Sequence, residues 1–154
     1  MSVKNLVARP LVRSIVRSVS GQAPAGGGEP SEFITNGNFN ANGTNWTMGD
    51  GWSADLAEAR QEGLDGLLSQ NFGALTAPLI DGNDYSLTFD VREGDGGGDI
   101  LIVVGGTQNL PSVASSNGAK TRNFTADGNH ATISFQCLDA AFFILDDISL
   151  VPAP

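Results

Sequence analysis

The stretch Phe33-Ile-Thr-Asn-Gly-Asn-Phe39 decides the fold together with Ile144-Leu-Asp-Asp-Ile-Ser-Leu150 near the other end of the chain. Trp46 and Gly51-Trp52 follow the first stretch. Both stretches carry strand signals, and short strand patterns alternate with turn-rich segments between them. Twenty glycines and seven prolines in 154 residues fit such a chain better than a helical one. We therefore expect an all-β domain over residues 33–154.

The predicted strands are short and closely spaced. Residues 85–91 alternate apolar and polar side chains, which predicts one buried and one wet face. Residues 133–137 show the same period, so we expect Cys137 to be a small core residue. Residues 100–104 are apolar throughout and predict a central strand that is covered on both faces or lies against a neighbouring subunit. The predicted strands are 33–35, 46–48, 52–60, 67–72, 85–93, 100–104, 121–126, 131–137 and 142–151.

The strand pattern is interrupted or ambiguous in two segments. Residues 53–68 contain Ala-Asp-Leu-Ala-Glu-Ala-Arg, which also suits a helix. Asp127-Gly-Asn129 separates two strand patterns and predicts a tight hairpin turn. His130 follows it, and we expect this single histidine to be exposed there, because no partners for catalysis or metal binding are visible.

The opening Asn-Gly-Asn-Phe phrase with Trp46, and the closing Asp-Asp pair, resemble jelly-roll domains of carbohydrate-binding modules, which also occur in accessory proteins of phage particles. The resemblance covers residues 33–151. It implies a jelly-roll β-sandwich with Trp46 in the core, and it favours strand over helix at 53–68. It also implies a structural calcium ion where the opening loop meets the closing strand, with Asn38, Asp146 and Asp147 as ligands. No other cofactor is expected.

Asp146 shares a strand phase with Ile144, Ile148 and Leu150, and if that face is inward its carboxylate is placed toward the core. A buried carboxylate needs a cation or hydrogen-bond donors. We favour backbone amides of the first loop over calcium as that partner.

Trp52 and Tyr85 are the candidates for stacking on a sugar ring, since an aromatic face suits the apolar face of a pyranose. The alternative places them in the core, where large aromatic residues are usually found. Only eleven aromatic residues are present, so few are left for binding.

Residues 1–20 form a predicted basic, amphipathic anchoring arm. Its apolar residues recur at three- and four-residue spacing, and its arginines lie four apart. Residues 21–32 form a linker rich in Gly and Pro, so we expect the arm to be tethered and to need a partner surface. The predicted anchoring residues are Val3, Leu6, Val7, Arg9, Leu11, Val12, Arg13, Ile15, Val16 and Arg17.

The charge of the chain is unevenly distributed. Residues 1–20 carry four basic residues and no acid, whereas residues 33–154 carry fifteen acids against four bases, a net charge of −11. Such an acidic body argues against nucleic-acid or anionic-membrane partners. Basic residues interrupt the only apolar region, so no membrane span or secretory signal is expected. The single cysteine excludes an internal disulfide framework.

Two functions remain, and neither is enzymatic. The first is a virion structural protein, a decoration or cement subunit on the exterior of a phage capsid, made in the host cytoplasm. Its partner would be the major capsid protein or another virion protein, and the jelly-roll resemblance implies a homotrimer. The second is a carbohydrate-binding module for host or glycan adhesion. A mitochondrial presequence ranks third, because the arm contains Arg and Ser but no acid. Sequons at Asn42, Asn45 and Asn123 mean little without a secretion signal.

Overall fold

The structure is a computed structural model that describes residues 29–63, 66–139 and 141–154. The predicted anchoring arm and residues 21–28 of the predicted linker lie outside these ranges. Within them, ten strands and one short 3-10 turn at Phe72–Ala74 are present. The strands are β1 (Thr47–Met48), β2 (Trp52–Asp55), β3 (Glu58–Glu62), β4 (Leu67–Asn71), β5 (Asp84–Arg92), β6 (Asp99–Val104), β7 (Gln108–Ala114), β8 (Gly118–Thr125), β9 (Thr132–Cys137) and β10 (Phe142–Pro152).

The strands form two five-stranded antiparallel sheets that pack face to face. Sheet A has the order β1-β4-β9-β6-β7, and sheet B has the order β2-β3-β10-β5-β8. Alternation of side chains along each strand sends one face of each sheet into a shared core. The all-β prediction is therefore confirmed, and the described residues of 53–68, which are 53–63 and 66–68, contain no helix. Cys137 and Trp46 are buried as predicted.

The predicted strand 52–60 is a hairpin of two strands. Leu56 and Ala57 both adopt left-handed backbone conformations, with φ of 52° and 64°, and turn the chain between β2 and β3. Such a turn favours Asn-Gly, so its Leu-Ala sequence gave no turn signal. The strand prediction was right here, but the turn inside it was missed.

Strand β7 was not predicted, because Pro111 breaks its pattern. Proline cannot donate a backbone hydrogen bond, so it is tolerated at a sheet edge. Strand β7 is one of the two edge strands of sheet A and pairs with β6 alone. The predicted strand 33–35 is not a strand either: Phe33 donates a backbone hydrogen bond to the Leu150 carbonyl, but no ladder follows.

The hairpin prediction at Asp127-Gly-Asn129 is wrong. The strands on either side of it, β8 and β9, belong to different sheets, so this segment crosses between them. His130 is also less exposed than predicted. Its Nε2 lies 2.6 Å from Asp127 Oδ1, its side chain is 12% exposed, and its ring packs on Gly105.

Asp146 is buried, as its strand phase suggested, but it does not share an inward face with Ile148 and Leu150, because a β-bulge interrupts β10. The register with β5 shifts between Asp146 and Ser149, and Asp147 is left-handed with φ of 49°. Phe143 and Leu145 point into the core before the bulge, and Ile148 and Leu150 do so after it. Asp146 therefore lies on the outer side of sheet B.

Candidate functional site

The aromatic residues show where a ligand could bind. Nine of the eleven are buried, including Trp52 at 7% exposure and Tyr85 at 0%. The Trp52 ring packs against Phe143, and its Nε1 donates to the Gly66 carbonyl at 2.8 Å. The structure thus places both predicted stacking residues in the core, where neither offers a ring face to a sugar. Only Phe124 and Phe142 are partly exposed.

Phe142 is already covered. The Arg60 guanidinium lies over its ring, 5.3 Å from the ring centroid, in a cation–π arrangement. Phe124 is therefore the remaining aromatic ring that is partly exposed and carries no cation.

Phe124 lines a cleft beside the end of sheet B. Antiparallel pairing of β5 with β8 places Tyr85 opposite Phe124 and Asp84 opposite Thr125. Tyr85 points inward, and the Phe124 ring leans on it at a centroid distance of 5.9 Å. Because β8 is an edge strand, the ring is only half covered. We call this the Phe124 cleft; it is lined by Asp84, Tyr85, Asn123, Phe124, Thr125, Ala153 and Pro154.

Polar groups hold the walls of the cleft. Thr125 Oγ1 donates to Asp84 Oδ1 at 2.6 Å, and the Ala153 amide donates to the Asp84 carbonyl at 2.8 Å. Asp84 and Asn123 are exposed. No lysine or arginine lines the cleft. The arrangement combines an apolar ring with neutral and acidic hydrogen-bonding groups.

Below the cleft, the Tyr85 hydroxyl connects the body to the segment that precedes it. It donates to Glu29 Oε1 at 2.6 Å and accepts from the Ile80 amide at 2.9 Å. Burial and the neighbouring Glu29 carboxylate raise the pKa of Tyr85 above its usual value. Glu29 also accepts from Asn83. This end of the predicted linker is therefore bonded to the domain.

Glu32 makes a second attachment of the same kind. Its carboxylate accepts from the Ile34 and Leu150 amides at 2.9 and 2.8 Å and from the Ser149 hydroxyl. The folded body thus includes the last residues that composition assigned to the linker.

The predicted calcium ligands do not converge. Asn38 and Asp147 line a shallow pocket with Glu32, but the Asn38 Oδ1 accepts from the Asn40 amide and Glu32 is engaged as described. The Asp146 and Asp147 carboxylates both face the Arg92 guanidinium, at 2.8 and 3.8 Å, so an arginine already supplies the positive charge beside them. Among the described residues, no three His, Cys, Asp or Glu side chains gather in a metal-binding arrangement. The residues therefore do not fit the calcium ion that the resemblance implied.

Asp146 forms an ion pair with Arg92 of the neighbouring strand in sheet B. Arg92 Nη2 donates to its Oδ2, and the Asp147 amide donates to its Oδ1 at 2.8 Å. Backbone amides of the first loop do not contact it, contrary to the sequence prediction; instead Gly37 and Ile148 join that loop to β10 through a 3.0 Å backbone hydrogen bond. Burial raises the pKa of Asp146, and the nearby Arg92 charge offsets part of this effect.

The fold is similar to that of several solved carbohydrate-binding modules and of an adhesin domain. A family 61 carbohydrate-binding module in complex with β-1,4-galactotriose superposes with a TM-score of 0.54 at 15% identity, over 80% of this chain and 100% of that one. The module CBM6cm-2 of Cellvibrio mixtus lichenase 5A, in complex with cellotriose, gives 0.52 at 10% identity, over 73% and 95%. An adhesin domain of the Lys-gingipain of Porphyromonas gingivalis gives 0.55 at 13%, over 78% and 99%.

These likenesses establish a jelly-roll β-sandwich, as the sequence predicted. No protein-family model matches the sequence, and no curated protein matches it as a relative. Within the described ranges, no helix is long and apolar enough to cross a membrane.

Proposed function

We propose that the folded body is a non-enzymatic module that binds glycan in the Phe124 cleft. The observation that carries this proposal is that only one aromatic ring is left to stack on a sugar. Nine of the eleven rings are buried and Phe142 lies beneath Arg60, so Phe124 remains. Similarity to carbohydrate-binding modules supports the ligand class, because two of the similar structures contain an oligosaccharide.

The cleft has the chemistry that a neutral sugar needs. The apolar face of a pyranose would lie on the Phe124 ring, with Ala153 and Pro154 alongside. The exposed Asp84 carboxylate and Asn123 amide would bond the sugar hydroxyls. Ligand pockets commonly combine such an apolar floor with a few polar groups that fix orientation.

The test is binding of the full-length chain to a glycan array, followed by titration calorimetry on the best ligand. Phe124→Ala removes the stacking surface and should weaken binding about tenfold. Asp84→Asn should weaken it without changing the fold. Phe142→Ala is the matched control, since its ring lies under Arg60. Absence of any glycan ligand, or equal affinity in Phe124→Ala, would contradict the proposal.

The second candidate is a phage capsid decoration subunit attached through residues 1–20. It is favoured by the charge separation between a basic arm and an acidic body. In this case the subunit would be a homotrimer on the capsid exterior, and the major capsid protein would bind the arm.

The position at which the folded body begins determines which truncation tests this candidate. Because Glu29 and Glu32 bond to the body, the truncation must stop at residue 28. A chain lacking residues 1–28 should fold but fail to bind stripped particles. Particle binding by the truncated chain would exclude arm-mediated attachment.

A further inference from the structure

The outer side of sheet B carries a strongly acidic surface. Alternation along β3 turns Ala59 and Gln61 inward and their neighbours outward, and β2, β5 and β10 add further carboxylates. We call this surface the acidic face. It comprises seven acids, Asp55, Glu58, Glu62, Asp90, Glu93, Asp146 and Asp147, and two bases, Arg60 and Arg92, for a net charge of −5.

The two arginines are already engaged. Arg92 lies within 4 Å of Glu58, Asp90, Asp146 and Asp147. Arg60 covers Phe142 and reaches Glu93 at 3.6 Å. The acidic face therefore keeps most of its negative charge. Asp55 and Glu62 are both exposed and pair with no base among the described residues.

An exposed leucine borders the acidic face. Leu56, at the tip of the β2–β3 hairpin, is 85% exposed, more than any other large apolar residue in the described ranges. It also occupies a left-handed conformation that suits Asn or Gly. Nothing in the folded body accounts for a leucine there. An apolar contact from another segment would account for it.

The N-terminal arm complements both features. Residues 1–28 contain four basic residues, Lys4, Arg9, Arg13 and Arg17, and no acid, together with regularly spaced valine, leucine and isoleucine. Its cations match the carboxylates of the acidic face, and its aliphatic residues match Leu56.

The attachment point places the arm within reach. Glu29 is bonded to Tyr85 and Asn83, at the start of β5. From Tyr85 to Asp90 along β5 is about 17 Å, at about 3.4 Å per residue. A Gly-rich segment of eight residues, such as 21–28, has a root-mean-square span of about 15–17 Å. The tether thus reaches the near side of the acidic face at Asp90, and residues 1–20, which continue from its end, are long enough to cross the sheet to β3 and β2. A short flexible tether of this kind gives an effective concentration on the order of millimolar.

We propose that residues 1–20 bind the acidic face of their own chain. At millimolar effective concentration, even a weak electrostatic contact is substantially occupied. Such binding is reversible and is screened by salt. It covers the apolar residues of the arm until a competing surface binds them.

Limited trypsin digestion of the full-length chain tests whether the arm is bound to the acidic face. Cleavage after Arg13 and Arg17 is followed by mass spectrometry. In low salt the bound arm is protected, and 0.5 M NaCl should raise the cleavage rate about threefold. Neutralising the unpaired acids with Asp55→Asn and Glu62→Gln should raise the low-salt rate similarly. Leu56→Asn should raise it by a smaller factor.

The matched control is Asp81→Asn with Asp99→Asn, which removes two acids outside the acidic face and should leave cleavage unchanged. Thermal unfolding checks that every variant is folded. A cleavage rate that is insensitive to salt and to the acidic-face variants would overturn the proposal, as would an equal effect of the control pair. Protection that disappears on dilution would show that the arm binds a second copy instead, and would also overturn it.

Discussion

Arg92 Nη2 lies 2.8 Å from Oδ2 of Asp146, whose side chain is 9% exposed and sits beside the bulge of β10. This pair occupies the role that the sequence assigned to backbone amides or a calcium ion. Arg92→Met would leave the Asp146 carboxylate buried without its cation. We expect a loss of about 1–2 kcal/mol in the free energy of unfolding, measured by urea denaturation.

The reciprocal variant separates charge from shape. Asp146→Asn removes the buried charge but keeps an oxygen that can accept from Arg92, so its cost should be well below that of Arg92→Met. If Asp146→Asn destabilised the protein more than Arg92→Met, the attraction between Arg92 and Asp146 would exceed the cost of burying the Asp146 charge, contrary to this expectation.

The raised pKa of Asp146 makes its contribution to stability depend on pH. The folded state holds the Asp146 proton more tightly than the unfolded chain does, mainly because burial disfavours the charge. The stability that this group contributes is therefore fully present below the usual Asp pKa of 3.8 and is lost as pH rises through the folded-state pKa. The free energy of unfolding of the native protein, relative to Asp146→Asn, should fall between pH 4 and neutral pH. A difference that increased over this range would mean that the Arg92 charge outweighs burial.

Metal removal should have no effect on the folded body. Arg92 already occupies the position of a cation beside Asp146 and Asp147, and Asn38 lines a pocket that Asp146 does not reach. The melting temperature should therefore be the same in millimolar calcium and in EDTA. A calcium-dependent increase that Asp147→Asn abolished would show that the opening loop rearranges to bind the ion.

The regular part of the fold could be predicted from the sequence. Alternation along 85–91 and 133–137 defines strands whose inner faces reach the core, and Cys137 follows the same period. The Asn-Gly-Asn-Phe phrase correctly indicated a jelly roll because it carries a family resemblance that periodicity alone does not.

The irregular part could not be predicted, because local sequence does not show tertiary pairing. The bulge at Asp147 reverses which side of β10 faces inward, so the expected phase of Asp146 failed. The importance of Phe124 depends on β8 being an edge strand, whereas the sequence marked this residue only as part of the predicted strand 121–126 and of a glycosylation sequon. The Leu56-Ala57 turn has no turn residues at all.

That turn offers a route to higher stability. Leu56 and Ala57 hold left-handed conformations that suit Asn-Gly, so Leu56→Asn with Ala57→Gly relieves strain at two positions. We expect the free energy of unfolding to rise by about 1–2 kcal/mol in urea denaturation. To keep any contact of Leu56 with residues 1–20 out of the measurement, both proteins are compared without residues 1–28; unchanged or lower stability there would mean that the turn stores no strain.

The close contact between the first loop and β10 predicts strict limits at Gly37. A Cβ built on Gly37 would lie 1.8 Å from the Ile148 carbonyl oxygen, and the same segments share the Gly37–Ile148 backbone hydrogen bond. Gly37→Ala must push the loop away from β10, which breaks that bond beside the bulge. We expect a loss of about 3 kcal/mol in the free energy of unfolding. Gly97→Ala is the control: its nearest atom, Asp95 Oδ1, is 3.4 Å away, and its cost should stay within about 0.5 kcal/mol. Equal stability of the two variants would mean that the opening loop is not held against the last strand.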